Sequence, residues 1–440
     1  MWKYKYSKKL KGVVKILRKN TFLGKILFYL FFFVFIFFIF PFFVVNFSGS
    51  LNVVSSKSCS EVVNKKNTGI WFSFIEWKNL NAGKNEEDWN KTIDEIIKNL
   101  QSLKINNVYV HAISHSDAFY KSDLYPMSKI ISKDGKPVEY DPFRIFVDRL
   151  KEKGFKVHAW INPLRGMFDE DYKKISDSYQ TKKWYNAKNK KDYYMKDKLK
   201  RYWLNPANEE VRNLIKKAVE EIITRYNNID GIHIDDYFYP AGLSEANVLE
   251  GDEEYFKKKH NPKKLDIKKW RRENITELIK AFYETCSKHN KVFGVSPQGN
   301  MNNNLNGMFF DQEDIIKKGY LDYIMPQIYF GFNNENMNFC DCVKKWKKLI
   351  KNNKAKDRKI DFYVGLAAYK CGMQDDVYAK KGRHEWRDNN DILKRQVCFL
   401  NDIKNCEGFT FFSYESFFNP KKEVENVVKK EKENLLKILD

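Results

Sequence analysis

The chain has 440 residues and a mass of 52.5 kDa, with 43% hydrophobic and 31% charged residues, which excludes a disordered, collagen-like or multi-pass membrane protein. Lys and Arg number 79 against 57 Asp and Glu, a formal charge of +22, and aromatics reach 16% with 35 Phe. Taken alone, that charge points to nucleic acid or another anionic surface.

Position along the chain changes this reading. Residues 1–60 hold ten basic residues and no acid, so the remainder carries 69 basic against 57 acidic residues, or +12. Residues 26–45 are uncharged, and ten of these 20 are Phe. That length spans a bilayer core of about 30 Å as a helix. Nine of the ten basic residues precede it, which orients residues 1–25 as a cytoplasmic tail and sends the rest across the membrane. The run exceeds the about 7–15 residues of a signal-peptide core, so an uncleaved signal-anchor is expected, and a secreted product if it is cleaved. An extracytoplasmic domain leaves nucleic acid without access.

Residues 46–67, rich in Ser, Asn and Lys, read as a linker, and 68–440 as the catalytic domain. Seven cysteines (Cys59, Cys286, Cys340, Cys342, Cys371, Cys398, Cys406) are scattered without a C-x-x-C pair. Buried free thiols fit this better than zinc ligands. Cys59 follows Ser56-Lys57-Ser58, which is no lipoprotein cleavage box.

Eight β-rich runs follow, at 68–74, 107–112, 155–162, 229–236, 291–297, 321–330, 361–369 and 408–414. Amphipathic stretches at 89–103, 142–153, 208–226 and 266–288 separate several of them, and 422–439 follows the last. Strand then helix, eight times, predicts an α/β fold, a (β/α)8 TIM barrel, preceded by one transmembrane helix. A doubly wound open sheet would carry a Gly-rich turn after strand one, and Ser73-Phe74-Ile75-Glu76 stands there instead.

Side chains alternate faces along a strand. Val157, Ala159 and Ile161 oppose His158, Trp160 and Asn162; Ile232 and Ile234 oppose His233 and Asp235; Ile324 and Ile328 oppose Tyr323, Met325, Gln327 and Tyr329; Val364 and Leu366 oppose Tyr363 and Tyr369. The aliphatic faces suit the helices. A lumen of polar and aromatic side chains points to a site at the C-terminal mouth.

The sharpest segment, Ile229 to Pro240, ends a buried strand in Asp235 and Asp236. Parity puts Asp235 in the lumen and Asp236 toward the rim. Glycoside cleavage needs a protonated carboxyl and a second carboxylate as nucleophile or base. Burial against Tyr237 would raise one pKa. Other strand ends supply Glu76, Asp117 and Glu415 as candidate partners, while strands five and six end without an acid, in Ser296-Pro297-Gln298 and around Gln327. His111 and His115 have H-x-x-x-H spacing, but across a strand end, where it does not align two ligands. Hydrogen bonding of His111, His158 and His233 to sugar or carboxylate is favoured, with no metal and no cofactor. Residues 163–205 carry Trp184, Tyr185, Tyr193, Tyr194, Tyr202 and Trp203 among many Lys, an aromatic loop suited to sugar faces and acidic polymers. A second loop, 371–389, adds His384 and Trp386.

Seven ordered motifs carry a resemblance. They are Trp71-Phe72-Ser73, Asp117-Ala118-Phe119-Tyr120-Lys121-Ser122, His158-Ala159-Trp160-Ile161-Asn162-Pro163, Trp203-Leu204-Asn205-Pro206, Asp230-Gly231-Ile232-His233-Ile234-Asp235-Asp236-Tyr237, Gly294-Val295-Ser296-Pro297 and Tyr323-Ile324-Met325-Pro326-Gln327-Ile328-Tyr329. From about Gly69 onward the chain resembles the bacterial family 10 glycosyl hydrolase-like proteins, once called domain of unknown function 187 and distinct from the xylanase family of the same number. The resemblance implies a (β/α)8 barrel outside the cytoplasm, action on cell-wall glycan strands, and a catalytic Asp235. Glu76-Trp77 departs from it, because the family varies there. The expected activity is hydrolysis of O-glycosidic bonds in peptidoglycan or a related anionic wall polysaccharide. The alternative is a non-catalytic glycan-binding barrel.

Overall fold

The computed structural model describes residues 62–132, 138–240, 251–258, 260–354 and 358–439. The expected span at 26–45 and Cys59 lie outside them. Eight parallel strands close on themselves: β1 (Asn67–Phe72), β2 (Asn107–Ile113), β3 (Lys156–Ile161), β7 (Gly231–Ile234), β8 (Val292–Val295), β9 (Tyr323–Ile324), β10 (Asp361–Leu366) and β11 (Gly408–Phe411), with β11 returning to β1. The barrel and its helices are those of a (β/α)8 fold, and closure removes the open-sheet alternative. Between β3 and β7 a small antiparallel sheet is inserted, β4 (Arg165–Phe168), β5 (Tyr194–Lys196) and β6 (Arg201–Leu204), in the order β4-β6-β5. Val63 is buried and its N–H donates to the Ile438 carbonyl at 2.7 Å. The end of the expected linker is thus already docked on the barrel domain.

The alternating faces divide the core as their chemistry demands. Ile70, Phe72, Val108, Val110, Val157, Ala159, Ile232, Ile234, Phe293, Val295, Val364, Leu366, Phe409 and Phe411 join the large cluster that the helices cover. Trp71, Tyr109, Trp160, Tyr323, Met325 and Tyr363 form a separate cluster inside the barrel. Rings this large fit only where a neighbouring strand gives way. A Cβ on Gly294 would stand 2.0 Å from the Tyr323 ring, so glycine there makes room for it.

β9 is short for a physical reason. Pro326 has no N–H to donate, so regular pairing stops after Ile324 and resumes as single bridges of Gln327 to Gln298 and Gly365. The outer helices start on Asn or Asp side chains that accept backbone N–H groups, including Asn85, Asp141, Asn208, Asp266 and Asn338. The helix Glu209–Arg225 buries Val211, Leu214, Ile215, Ala218, Val219, Ile222 and Ile223 at helical spacing. Cys286, Cys340, Cys342, Cys371 and Cys406 are buried free thiols.

Candidate active site

A cavity of about 170 Å³ opens where the barrel strands end. Asp235 and Asp236 line it, directly after β7. Asp235 is 3% exposed and accepts the Tyr237 N–H at 3.3 Å. Burial, reinforced by the Asp236 charge, pushes its carboxyl well above the ordinary range. Asp236 is half-buried and accepts from Gln298 Nε2 at 2.9 Å and Gln327 Nε2 at 3.1 Å. Burial raises its pKa too, but these two donors pull against that. Burial thus weighs more heavily on Asp235, while amide donors offset part of it at Asp236, an asymmetry of the kind acid/base catalysis uses.

The walls are aromatic and amide. Trp71, Trp160, Phe74, Tyr237, Tyr329, Tyr369 and Phe412 line the cavity with His111, Asn162 and Gln327. Tyr237 and Tyr369 are 40% and 43% exposed, as rim residues should be. The His111 ring stacks on Trp160 with centroids 3.4 Å apart, and its Nδ1 accepts the Phe74 N–H at 3.0 Å. Its Nε2 therefore carries the proton of the neutral ring. Burial holds that ring neutral by lowering its pKa well below 6.5. His111 Nε2, Trp160 Nε1 and both amide atoms of Asn162 are buried without protein partners. Buried polar groups left open in a cavity wall are groups that a ligand satisfies.

Several expected site residues have other work. His233 and His158 lie inside the barrel rather than on the cavity wall. Trp71 Nε1 donates to His233 Nε2 at 3.0 Å, which fixes the proton on Nδ1, 2.9 Å from the Tyr323 hydroxyl. His158 stacks on Tyr109, and burial lowers its pKa to about 4. Glu76 does not reach the cavity. Its carboxylate accepts from the Ser73 backbone at 2.7 Å, the Glu415 backbone at 3.1 Å, and the Ser73 and Ser413 hydroxyls. It closes a capping box and ties the ends of β1 and β11 together. Asp117 turns inward on its own loop, accepting from Ser114 Oγ at 3.0 Å and His115 N at 2.8 Å. Glu415 sits in the helix Tyr414–Phe418, half-buried beside Asn419.

The aromatic loop packs on itself. Tyr172 stacks on Tyr185 at 5.2 Å and meets Tyr194 and Tyr202 edge-on, while Trp184 stacks on Tyr193 at 4.8 Å. Trp203 donates to Asp197 at 2.9 Å, and Asn205 holds the turn by accepting the Ala207 N–H at 3.1 Å. Neither lines the cavity. In the second loop Trp386 is buried, 1% exposed. What the inserted sheet does contribute is Arg165, whose backbone pairs with Trp203 and whose side chain lines the cavity. The sequence signal for it was only a basic residue three places past Asn162. Phe74 and Phe412 also line the cavity; the expected runs 68–74 and 408–414 include them, but the strands themselves end at Phe72 and Phe411. Among the described residues no group of three or more His, Cys, Asp or Glu is arranged to hold a metal.

A closed eight-stranded α/β barrel with paired, differently tuned carboxyls at the strands' C-terminal ends and aromatic walls has the architecture of a glycosidase. The chain belongs to the glycosyl hydrolase-like 10 family, whose sequence model matches residues 66–381. It is 28% identical over 366 residues to glycosyl hydrolase YngK of Bacillus subtilis, covering 77% of this chain and 66% of that protein, just under two thirds of its length. It is 27% identical over 344 residues to glycosyl hydrolase DigH of Escherichia coli, covering 73% of this chain and 75% of that one. Among solved structures it is similar in fold to the PgaB (BpsB) glycoside hydrolase domain of Bordetella bronchiseptica, with a TM-score of 0.52 at 12% identity, covering 83% of this chain and 98% of that one.

Proposed function

We propose that this protein hydrolyses O-glycosidic bonds in a cell-wall glycan, with Asp235 as the protonated acid and Asp236 as the anionic nucleophile or base. The observation that carries the reading is the asymmetric pair. Asp235 meets only backbone N–H groups, while two side-chain amide donors stabilise the ionised form of Asp236. In the forward step the Asp235 proton goes to the leaving glycosidic oxygen as the C–O bond breaks. Asp236 either attacks the anomeric carbon or takes a proton from the water that does. The cavity, at about 170 Å³, is smaller than the about 300–1,000 Å³ of drug-sized pockets, which suits one sugar ring at the point of cleavage. Aromatic rings supply flat apolar faces for its C–H surface.

The wall as location is supported by residues 26–45 and the basic flank before them, which together would hold the barrel on the outer side of the membrane. Protease added to intact cells would then remove the barrel, and protection of it would refute that orientation. Incubation of the purified full-length chain with peptide-stripped peptidoglycan strands tests the activity. New reducing ends are expected, and their absence on this and other wall polysaccharides would leave the barrel a glycan-binding module.

A further inference from the structure

The cavity contains a cation whose hydrogen-bond donors its neighbours leave open. Arg165 is 7% exposed and lines the cavity with Asp235 and Asp236. Its guanidinium lies 4.1 Å from the Tyr237 ring centroid and 5.8 Å from that of Phe74. Among the described residues its side chain makes no hydrogen bond or ion pair, and its Nε is buried without a partner. Its charge lowers the pKa of both Asp235 and Asp236, but it forms no ion pair or hydrogen bond with either, and each Asp236 oxygen already accepts from Gln298 or Gln327. Asn162, 1% exposed in the same wall, interacts with His111 but makes no hydrogen bond of good geometry through either amide atom.

An arginine keeps its proton in a protein, and a buried charge without a partner is costly. A fold that holds such a group beside aromatic rings leaves a planar, forked donor open to a ligand. The partner that matches the fork is a carboxylate, taken through two parallel N–H···O bonds. We infer that Arg165 receives a carboxylate carried by the sugar in the cavity, with Asn162 binding neighbouring oxygens, and that it selects acidic glycans over neutral ones. This explains the inserted β4–β6 sheet: it fixes the strand from which Arg165 reaches the site. The inference rests on the glycosidase reading for the kind of ligand.

The test compares peptide-free peptidoglycan strands with the same strands after reduction of their lactyl carboxylates to alcohols. A charge-assisted hydrogen bond contributes about 1.5–3 kcal/mol, which converts to a preference of roughly 10- to 150-fold in kcat/KM for the acidic strand. Arg165→Gln should bring that ratio close to one, mainly by slowing the acidic substrate. Arg165→Lys, which keeps the charge and loses the fork, should retain a reduced preference and serves if the Gln variant does not fold. An equal loss on both substrates would overturn the inference and make Arg165 a positioning residue for the Asp pair. Calorimetric binding of both strands separates the two readings. Carboxylate- and Arg165-dependent binding without turnover would sink the glycosidase reading and keep the receptor. Turnover at equal rates on both strands would do the reverse, and binding of neither strand would overturn the receptor.

Discussion

Gln298→Leu removes one of the two amide donors that favour the ionised form of Asp236 against burial, while leaving both acids in place. The Nε2–Oδ2 distance of 2.9 Å is that of a sound hydrogen bond to a charged acceptor. Such a bond contributes about 1.5–3 kcal/mol, and 1.36 kcal/mol corresponds to one pKa unit, so a bare loss would raise the Asp236 pKa by about one to two units. Asp236 is only half-buried, and water will replace part of the interaction, which favours the lower figure of about one unit. Burial, which raises the Asp236 pKa, and Arg165, which opposes that rise, remain unchanged. The assay is the pH profile of kcat/KM on wall glycan. Its acid limb, which reports loss of the carboxylate on protonation, should move up by about one unit. An acid limb that stays in place or moves down, in an enzyme that still turns over, would refute the assignment of Asp236 as the ionised partner.

Glu76→Ala removes the carboxylate that joins the ends of β1 and β11 and leaves two serine hydroxyls and two N–H groups without an acceptor. It should cost about 2–4 kcal/mol in urea unfolding, with activity per folded molecule changed far less than by loss of Asp235. Glu431 is fully buried, and burial raises its pKa to about 7 from 4.5. A group that holds its proton more tightly when folded makes stability fall as pH rises from about 4.5 through 7. Glu431→Gln, whose oxygen can still accept the Ile392 N–H, should therefore gain roughly 1–3 kcal/mol at pH 8 and little at pH 4.5; equal melting shifts at both would contradict this. Tyr193→Ala breaks a stack on Trp184 outside the cavity, so it should lower stability without changing KM for glycan, whereas a raised KM would restore the aromatic loop as a binding platform.

The barrel was legible because alternation is a local property. His158, Trp160, His233 and Tyr323 occur every second residue against aliphatic neighbours, and the eight closed strands keep that parity. Asp235 and Asp236 were legible because burying two adjacent acids at the end of an apolar strand is costly, and a catalytic site is where a fold bears that cost. Glu76 illustrates a signal that was present and competed with another. Ser73-Phe74-Ile75-Glu76 is a capping-box pattern, and the acid at its end goes to the helix start rather than the cavity. The aromatic loop shows the limit of composition, since Tyr172, Tyr185, Tyr194 and Tyr202 satisfy one another across 31 residues of chain. Arg165 depends on the pairing of β4 with β6, a tertiary event that no local pattern encodes.

The central claim is that the two adjacent acids after β7 do the chemistry. Asp235→Asn and Asp236→Asn keep the shape of the site, so release of new reducing ends from peptide-stripped wall glycan isolates their charge and proton. General acid or base catalysis contributes about 10²–10⁴-fold. Each variant is expected to lose at least about a hundredfold in rate while still folding and binding glycan, whereas undiminished release by Asp235→Asn would contradict the account.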